Sequence, residues 1–131
     1  MWRVEVEEAF SAAHALRCYQ GKCERPHGHN FTVAVTVEGS GLQPGTELLI
    51  DFKTLRGLLK GALEGLDHRM LNEQAPFDAI NPSSENLAAH IWGLMAAALA
   101  ACPEGRSVRL RSVSVSEKPG QRAVYMEGGE G

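Results

Sequence analysis

The strongest constraint on the fold is the run Phe31-Thr-Val33-Ala-Val35-Thr-Val37, in which large apolar side chains alternate with smaller or polar ones. A period of two puts the apolar set on one face of a β-strand, so the run needs a core on that side only. Continued backwards, the strand carries His27 and His29 at i and i+2, hence on one face, with Gly28 between them. Gly28 leaves the opposite face bare at the strand's start, where other backbone or a ligand can approach closely. A second alternating segment, Trp2-Arg-Val4-Glu-Val6-Glu, leads on to Phe10 and His14. An antiparallel pairing of the two strands would bring His14 near His29.

The segment Cys23-Glu-Arg-Pro-His27-Gly-His29 places one potential thiolate and two imidazoles within seven residues. Joined by His14, the set gives three histidines with no obligatory fourth protein ligand, the pattern of a catalytic zinc site that keeps one position for water or substrate. Zinc is the first choice, ahead of iron or another transition ion. Two other readings stay open: His14 as a strand-end residue with His-Gly-His in a turn, and Cys23 as the fourth ligand of a closed structural site.

A chain of 131 residues is expected to form one domain, residues 1–131, with a real core but little room for a self-contained cleft, so oligomerisation would supply missing walls. The net charge of -3 and the lack of any basic run argue against nucleic acid or an anionic membrane as partner and favour a small molecule. No cleavable signal and no bilayer-length apolar stretch is seen, and the three cysteines, Cys18, Cys23 and Cys102, are too sparse for a disulfide framework. A cytoplasmic location is the expectation, with any Cys18 to Cys23 pairing incidental.

Gly39 to Gly45 is rich in turn residues, and Asp51 reads as the N-cap of a helix over about 52–65 with Leu55, Leu58, Leu59, Ala62, Leu63 and Leu66 at helical spacing. Gly57, Gly61 and Gly65 recur every fourth residue, marking either a close packing face or unoptimised solvent positions. A polar loop, Leu66 to Asn72, precedes a second helix begun by Asn81-Pro82-Ser83-Ser84-Glu85, with Pro82 in its first turn and a buried stripe of Leu87, Ile91, Leu94, Met95 and Ala98. His90 lies on or beside that stripe and reads as a packed boundary residue. The last segments, 107–115 and 123–127, alternate again as a hairpin broken at Pro119-Gly120, and Gly128 to Gly131 reads as a frayed tail. The order is strand, strand, helix, helix, strand, strand.

This order, with Cys23-Glu-Arg-Pro-His27-Gly-His29, Leu66-Asp67-His68-x-x-Leu71-Asn72, Pro82-Ser-Ser-Glu-Asn86 and Ser116-Glu117, resembles the 6-pyruvoyltetrahydropterin synthase superfamily over nearly the whole chain. The three-residue gap between Cys23 and His27 is similar to that of the bacterial 6-carboxytetrahydropterin synthases of queuosine biosynthesis; animal pyruvoyl enzymes usually have a longer gap. The resemblance implies an α+β tunnelling fold, a four-stranded antiparallel sheet with two helices on one face in the order ββααββ. It also implies a homohexamer whose active sites lie between subunits.

On the same basis His14, His27 and His29 look like zinc ligands, Cys23 like the proton-abstracting residue, and Asp67 and His68 like its partner dyad. A helix C-terminal pair complementing the dipole is the plainer role for Asp67-His68. The resemblance makes Glu117 the anchor of the pterin's amino group and ring nitrogen, or a member of the proton relay. It puts the hydroxyls of Ser83 and Ser84 near the pterin, with helix capping as their plainer role. The implied reaction converts 7,8-dihydroneopterin triphosphate to 6-carboxy-5,6,7,8-tetrahydropterin. Its rivals are pyruvoyl formation by triphosphate elimination alone and a non-catalytic zinc or pterin-binding module. Lys22, Arg25, Lys53 and Arg69 are candidate triphosphate contacts by charge only.

Overall fold

A computed structural model describes residues 1–21 and 24–128. Two long strands, β1 (Trp2–His14) and β2 (His27–Gly39), form the centre, followed by α1 (Phe52–Leu63) and the two-residue β3 (Arg69–Met70). Helix α2 (Ser84–Ala101) and the hairpin of β4 (Arg109–Lys118) and β5 (Gln121–Tyr125) complete the chain. The sheet order is β3-β1-β2-β4-β5. Strands β1, β2, β4 and β5 pair antiparallel in that order, as the alternating segments require.

The expected four-stranded antiparallel sheet is corrected to a five-stranded mixed one. Strand β3 runs parallel to β1, with Arg69 opposite Ala12 and Met70 opposite Ala13. Its two residues sit in a polar segment too short to alternate, so no periodicity marks it. They are drawn to β1 because the His68 N–H donates to the Ser11 carbonyl and the Ser11 N–H donates to Asp67 Oδ1.

One face of the sheet carries the core. Val6, Phe10 and Ala12 of β1, Phe31, Val33, Val35 and Val37 of β2, and Val113 and Val115 of β4 are buried against Leu55, Leu59, Leu63, Leu87, Ile91 and Met95 of the two helices. Burying Phe31 alone contributes about 1.5–3 kcal/mol. It stacks on Phe10 with ring centroids 4.9 Å apart and meets the edge of His14 at 5.1 Å, which joins the core to the functional end of the sheet. The bulge between Thr36 and Val37 leaves Arg111 as the extra residue of β4.

Asp51 caps α1 as expected, its carboxylate accepting from the Lys53 N–H at 2.8 Å. In α2 the cap is Ser83, which accepts from the Asn86 N–H at 3.1 Å, so Pro82 precedes the cap rather than standing in the first turn. Leu94 faces solvent, and Ala88, Trp92 and Leu99 take buried places instead. The close-packing reading of Gly57, Gly61 and Gly65 is also overturned, since a Cβ at any of them would meet nothing within 4 Å. Gly120 turns the last hairpin with a φ of +93°, a region that favours glycine. Among the described residues no helix is long and apolar enough to cross a membrane.

Candidate active site and metal centre

The antiparallel register of β1 and β2 puts His14 opposite His27 and Ala12 opposite His29. The paired strand ends therefore bring three imidazoles onto the core face, and one nitrogen from each of His14, His27 and His29 lies within 4.8 Å of the others. His14 is 2% exposed. Its Nδ1 donates to the Pro82 carbonyl at 2.9 Å, which fixes the ring and leaves the Nε2 lone pair facing the cluster. That Nε2 is buried with no hydrogen-bond partner. His27 repeats the pattern at the rim, Nδ1 against the Arg25 carbonyl at 3.1 Å. A buried acceptor without a donor is costly unless a cation or donor satisfies it, and a convergent set of imidazole nitrogens suits zinc. The residues present thus fit the metal that the resemblance implies.

Glu117, at the end of β4, joins this cluster. Its Oε1 lies 3.6 Å from His14 Nε2 and its Oε2 3.4 Å from His29 Nε2. The residue also lines a concavity of about 280 Å³ together with Ser84, Gln121 and Arg122. Ser84 is therefore beside Glu117, whereas the Ser83 oxygen is engaged as the cap of α2.

Asp67 and His68 lie elsewhere, against the other edge of β1. His68 Nδ1 is 3.1 Å from Asp67 Oδ2, and Asp67 Oδ1 accepts from the Ser11 N–H at 2.9 Å. The Ser11 N–H, and behind it the His68 hydrogen bond and charge, hold the Asp67 carboxyl below its ordinary range. His68 adopts a φ of 59°, and its side chain is 80% exposed. It opens onto a concavity of about 530 Å³ floored by Ser11, Ala13, Gly28 and Asn30, from the face of β1 and β2 opposite the imidazole cluster, with His29 on its wall. One chain thus gathers His14, His27, His29 and Glu117 but leaves the dyad outside that cluster.

Cys23 and Lys22 lie outside the described residues, as does the tail beyond Gly128. The neighbour of Cys23 is described: Glu24 donates its N–H to the Leu16 carbonyl at 3.1 Å and accepts from the Leu16 N–H at 2.9 Å. Arg25 and Arg69 are exposed, and Lys53 stands in the first turn of α1. His90 is a boundary residue as expected, edge-on to Phe77 at 5.2 Å, and its burial pushes the imidazole down from its ordinary value.

The supporting roles of three asparagines escaped the sequence reading. The side-chain amide of Asn72 holds both backbone groups of Ala15, and that of Asn81 holds both of Arg17. Asn86 Nδ2 donates to the Asn81 carbonyl at 2.8 Å. Together they lock the segment after His14 to the turn that presents the Pro82 carbonyl. The signal available was Asn72 in the segment 66–72 and Asn81 and Asn86 in the segment 81–86, which says nothing of their partners.

The family described as 6-pyruvoyl tetrahydropterin synthase matches residues 3–128. The chain belongs to that family. It is 38% identical over 96 residues to the 6-carboxy-5,6,7,8-tetrahydropterin synthase of Synechocystis sp., covering 70% of this chain and 73% of the relative. It is 35% identical over 108 residues to the 6-pyruvoyl tetrahydrobiopterin synthase of Poecilia reticulata, covering 72% and 73%. The solved 6-pyruvoyl tetrahydropterin synthase of Caenorhabditis elegans superposes with a TM-score of 0.79 over 97% of this chain and 96% of that one. At 24% identity that likeness speaks for the fold alone. A pterin synthase family with lyase activity is therefore shown, and relatives of both product types match about equally.

Proposed function

We propose that this pterin synthase family member is a zinc-dependent lyase that converts 7,8-dihydroneopterin triphosphate to 6-carboxy-5,6,7,8-tetrahydropterin, in queuosine biosynthesis. Triphosphate and acetaldehyde leave, and water supplies the new carboxylate oxygen. The observation that carries the choice over pyruvoyl formation is the three-residue gap between Cys23 and His27. The converging nitrogens of His14, His27 and His29 support the metal.

A zinc ion held by His14, His27 and His29 would supply a Lewis acid for the oxygens of the pterin side chain. Cys23, acting as a thiolate, removes the side-chain proton that starts elimination. The next residue, Glu24, is held to Leu16 by one backbone hydrogen bond and one to its carboxylate. Asp67 orients His68 for the later proton transfer of carbon–carbon cleavage. The dyad's exposure and its separation from the imidazole cluster support a site completed between copies of the chain in a homohexamer. Glu117 receives the amino group and ring N–H of the pterin, and Ser84 lies beside it.

The deciding experiment incubates zinc-loaded protein with dihydroneopterin triphosphate and measures pterin mass alongside acetaldehyde. Carboxytetrahydropterin with acetaldehyde supports the proposal. Pyruvoyl product without acetaldehyde, or binding without product, sinks it. In Cys23→Ala, turnover should be lost with zinc retained; loss of zinc would instead mark Cys23 as a structural ligand.

A further inference from the structure

A substrate that carries a triphosphate needs a place for several negative charges, and the surroundings of Glu117 are a poor one. The concavity it shares with Ser84 has Glu85 and Glu117 against Arg122. A second, of about 810 Å³ over Thr32, Ala34 and Ser114, has Glu5, Glu7 and Glu117 against Lys118 and Arg122. The concavity of about 530 Å³ beside His68 has the opposite balance, since Arg69 and His68 line it and no carboxylate does. Of the three, it is the one whose charges attract a polyanion.

Its donors are also available. Among the described residues the Arg69 guanidinium has no ion-pair partner. The pairing of Arg69 with Ala12 across β3 and β1 fixes the backbone from which it projects. Ser11 Oγ donates to Asn30 Oδ1, which occupies the acceptor end of that amide and leaves Nδ2 for a ligand. Gly28 keeps the floor bare, and a Cβ there would meet nothing within 4 Å, so no described part of this chain fills the space. We propose that this concavity is the triphosphate subsite: Arg69 and the Asn30 amide hold the phosphate oxygens beside His68. The proposal rests on the substrate named above. Because the concavity opens on the face opposite the imidazoles, the copy that presents the dyad receives the phosphates while another copy's imidazoles face the pterin side chain. In the elimination Cys23 takes the proton from carbon, a carbon–carbon double bond forms, and the carbon–oxygen bond breaks with its electron pair leaving on the triphosphate. The guanidinium meets that added charge where it develops.

Titration calorimetry on the zinc-loaded full chain reads the two ends of the substrate apart. The probes are inorganic triphosphate and phosphate-free dihydroneopterin, with zinc content checked after each titration. Arg69→Ala should weaken binding of inorganic triphosphate by about tenfold or more, because charge-assisted hydrogen bonds are lost. Asn30→Asp keeps the acceptor for Ser11 but exchanges the donor for a negative charge, and should weaken it at least as much. Dihydroneopterin should bind both variants as it binds the wild type, and Lys53→Ala, outside the concavity, should match the wild type for both probes. Wild-type triphosphate affinity in either concavity variant overturns the proposal, as does a wild-type chain that binds no triphosphate. An equal loss for both probes overturns it too, since the concavity would then shape the whole site rather than hold the phosphates. If the variants lose triphosphate as expected while the wild type leaves dihydroneopterin triphosphate unconverted, the anion site stands and the proposed lyase reaction falls.

Discussion

His14 and His68 are both tied to the last four residues of β1, yet they are held in opposite ways. His14 is buried, hydrogen-bonded through Nδ1 to the Pro82 carbonyl, and turns an unsatisfied Nε2 towards two other imidazoles. His68 is 80% exposed, bonded through Nδ1 to Asp67, and faces open space. A metal ligand needs a fixed lone pair in a dry place, and the core packed around Phe31 provides it. A proton-transfer group needs access to substrate, and the sheet edge provides that. On the proposed assignment, one chain gathers the three imidazoles by itself and presents the dyad outward.

The largest effect should follow from breaking the buried half. His14→Ala removes the ligand set around which His27 and His29 converge, and bound zinc, measured by elemental analysis, is expected to fall to background together with turnover. Retained zinc would mean that the cluster is not the metal site.

Breaking the exposed half should cost less and read differently. His68→Ala is expected to lower kcat by about 10²–10⁴-fold with zinc content unchanged. The comparison sharpens when two inactive variants are combined. If the dyad of one copy serves the imidazole cluster of another, His68→Ala and Cys23→Ala chains assembled together should regain activity that neither has alone. No recovery in verified mixed oligomers would mean that the dyad does not act across copies.

A third, smaller effect separates the halves by pH. Asp67 has its folded-state carboxyl held below the ordinary 3.8, chiefly by the Ser11 N–H. A depressed carboxyl contributes stability that is present above the unfolded pKa and is lost as pH falls through the folded one. Wild-type unfolding in acid should therefore steepen below about pH 4 relative to Asp67→Asn, with the two curves running parallel at neutral pH. Parallel curves throughout would show that Ser11 does not hold the carboxylate in solution.

The buried half was the more legible in the sequence, for a physical reason. Period-two alternation and His27-Gly-His29 are local patterns, so strand, face and histidine pair all follow from neighbours in the chain. His14 needed only one antiparallel register. Strand β3 and the placing of the dyad depend on two hydrogen bonds to the backbone of Ser11, one from the His68 N–H and one accepted by the Asp67 carboxylate fifty-six residues away, and no local pattern encodes such a partner. Asn72 and Asn81 were invisible in the same way, because their amides imitate a neighbouring strand rather than continue a period. Glu117 could be placed at a strand end, but its approach to His14 and His29 required the β2–β4 register as well.

The smallest effect concerns α1, the helix that precedes the dyad and sets where Asp67 emerges. Its glycines, Gly57 and Gly61, face solvent with open space at the missing Cβ and without positive φ. Alanine fits both positions and removes conformational freedom from the unfolded chain, so each Gly→Ala change should raise stability by about 0.4–1 kcal/mol. Denaturant midpoints with unchanged slopes would measure it. Since neither glycine touches the cluster, zinc content should not move. If stability rises while turnover falls, helix α1 must flex for the dyad to reach its substrate, and the exposed half then differs from the buried one in mobility as well as in access. If turnover holds, the dyad is positioned by Ser11 alone, and the helix is only its tether.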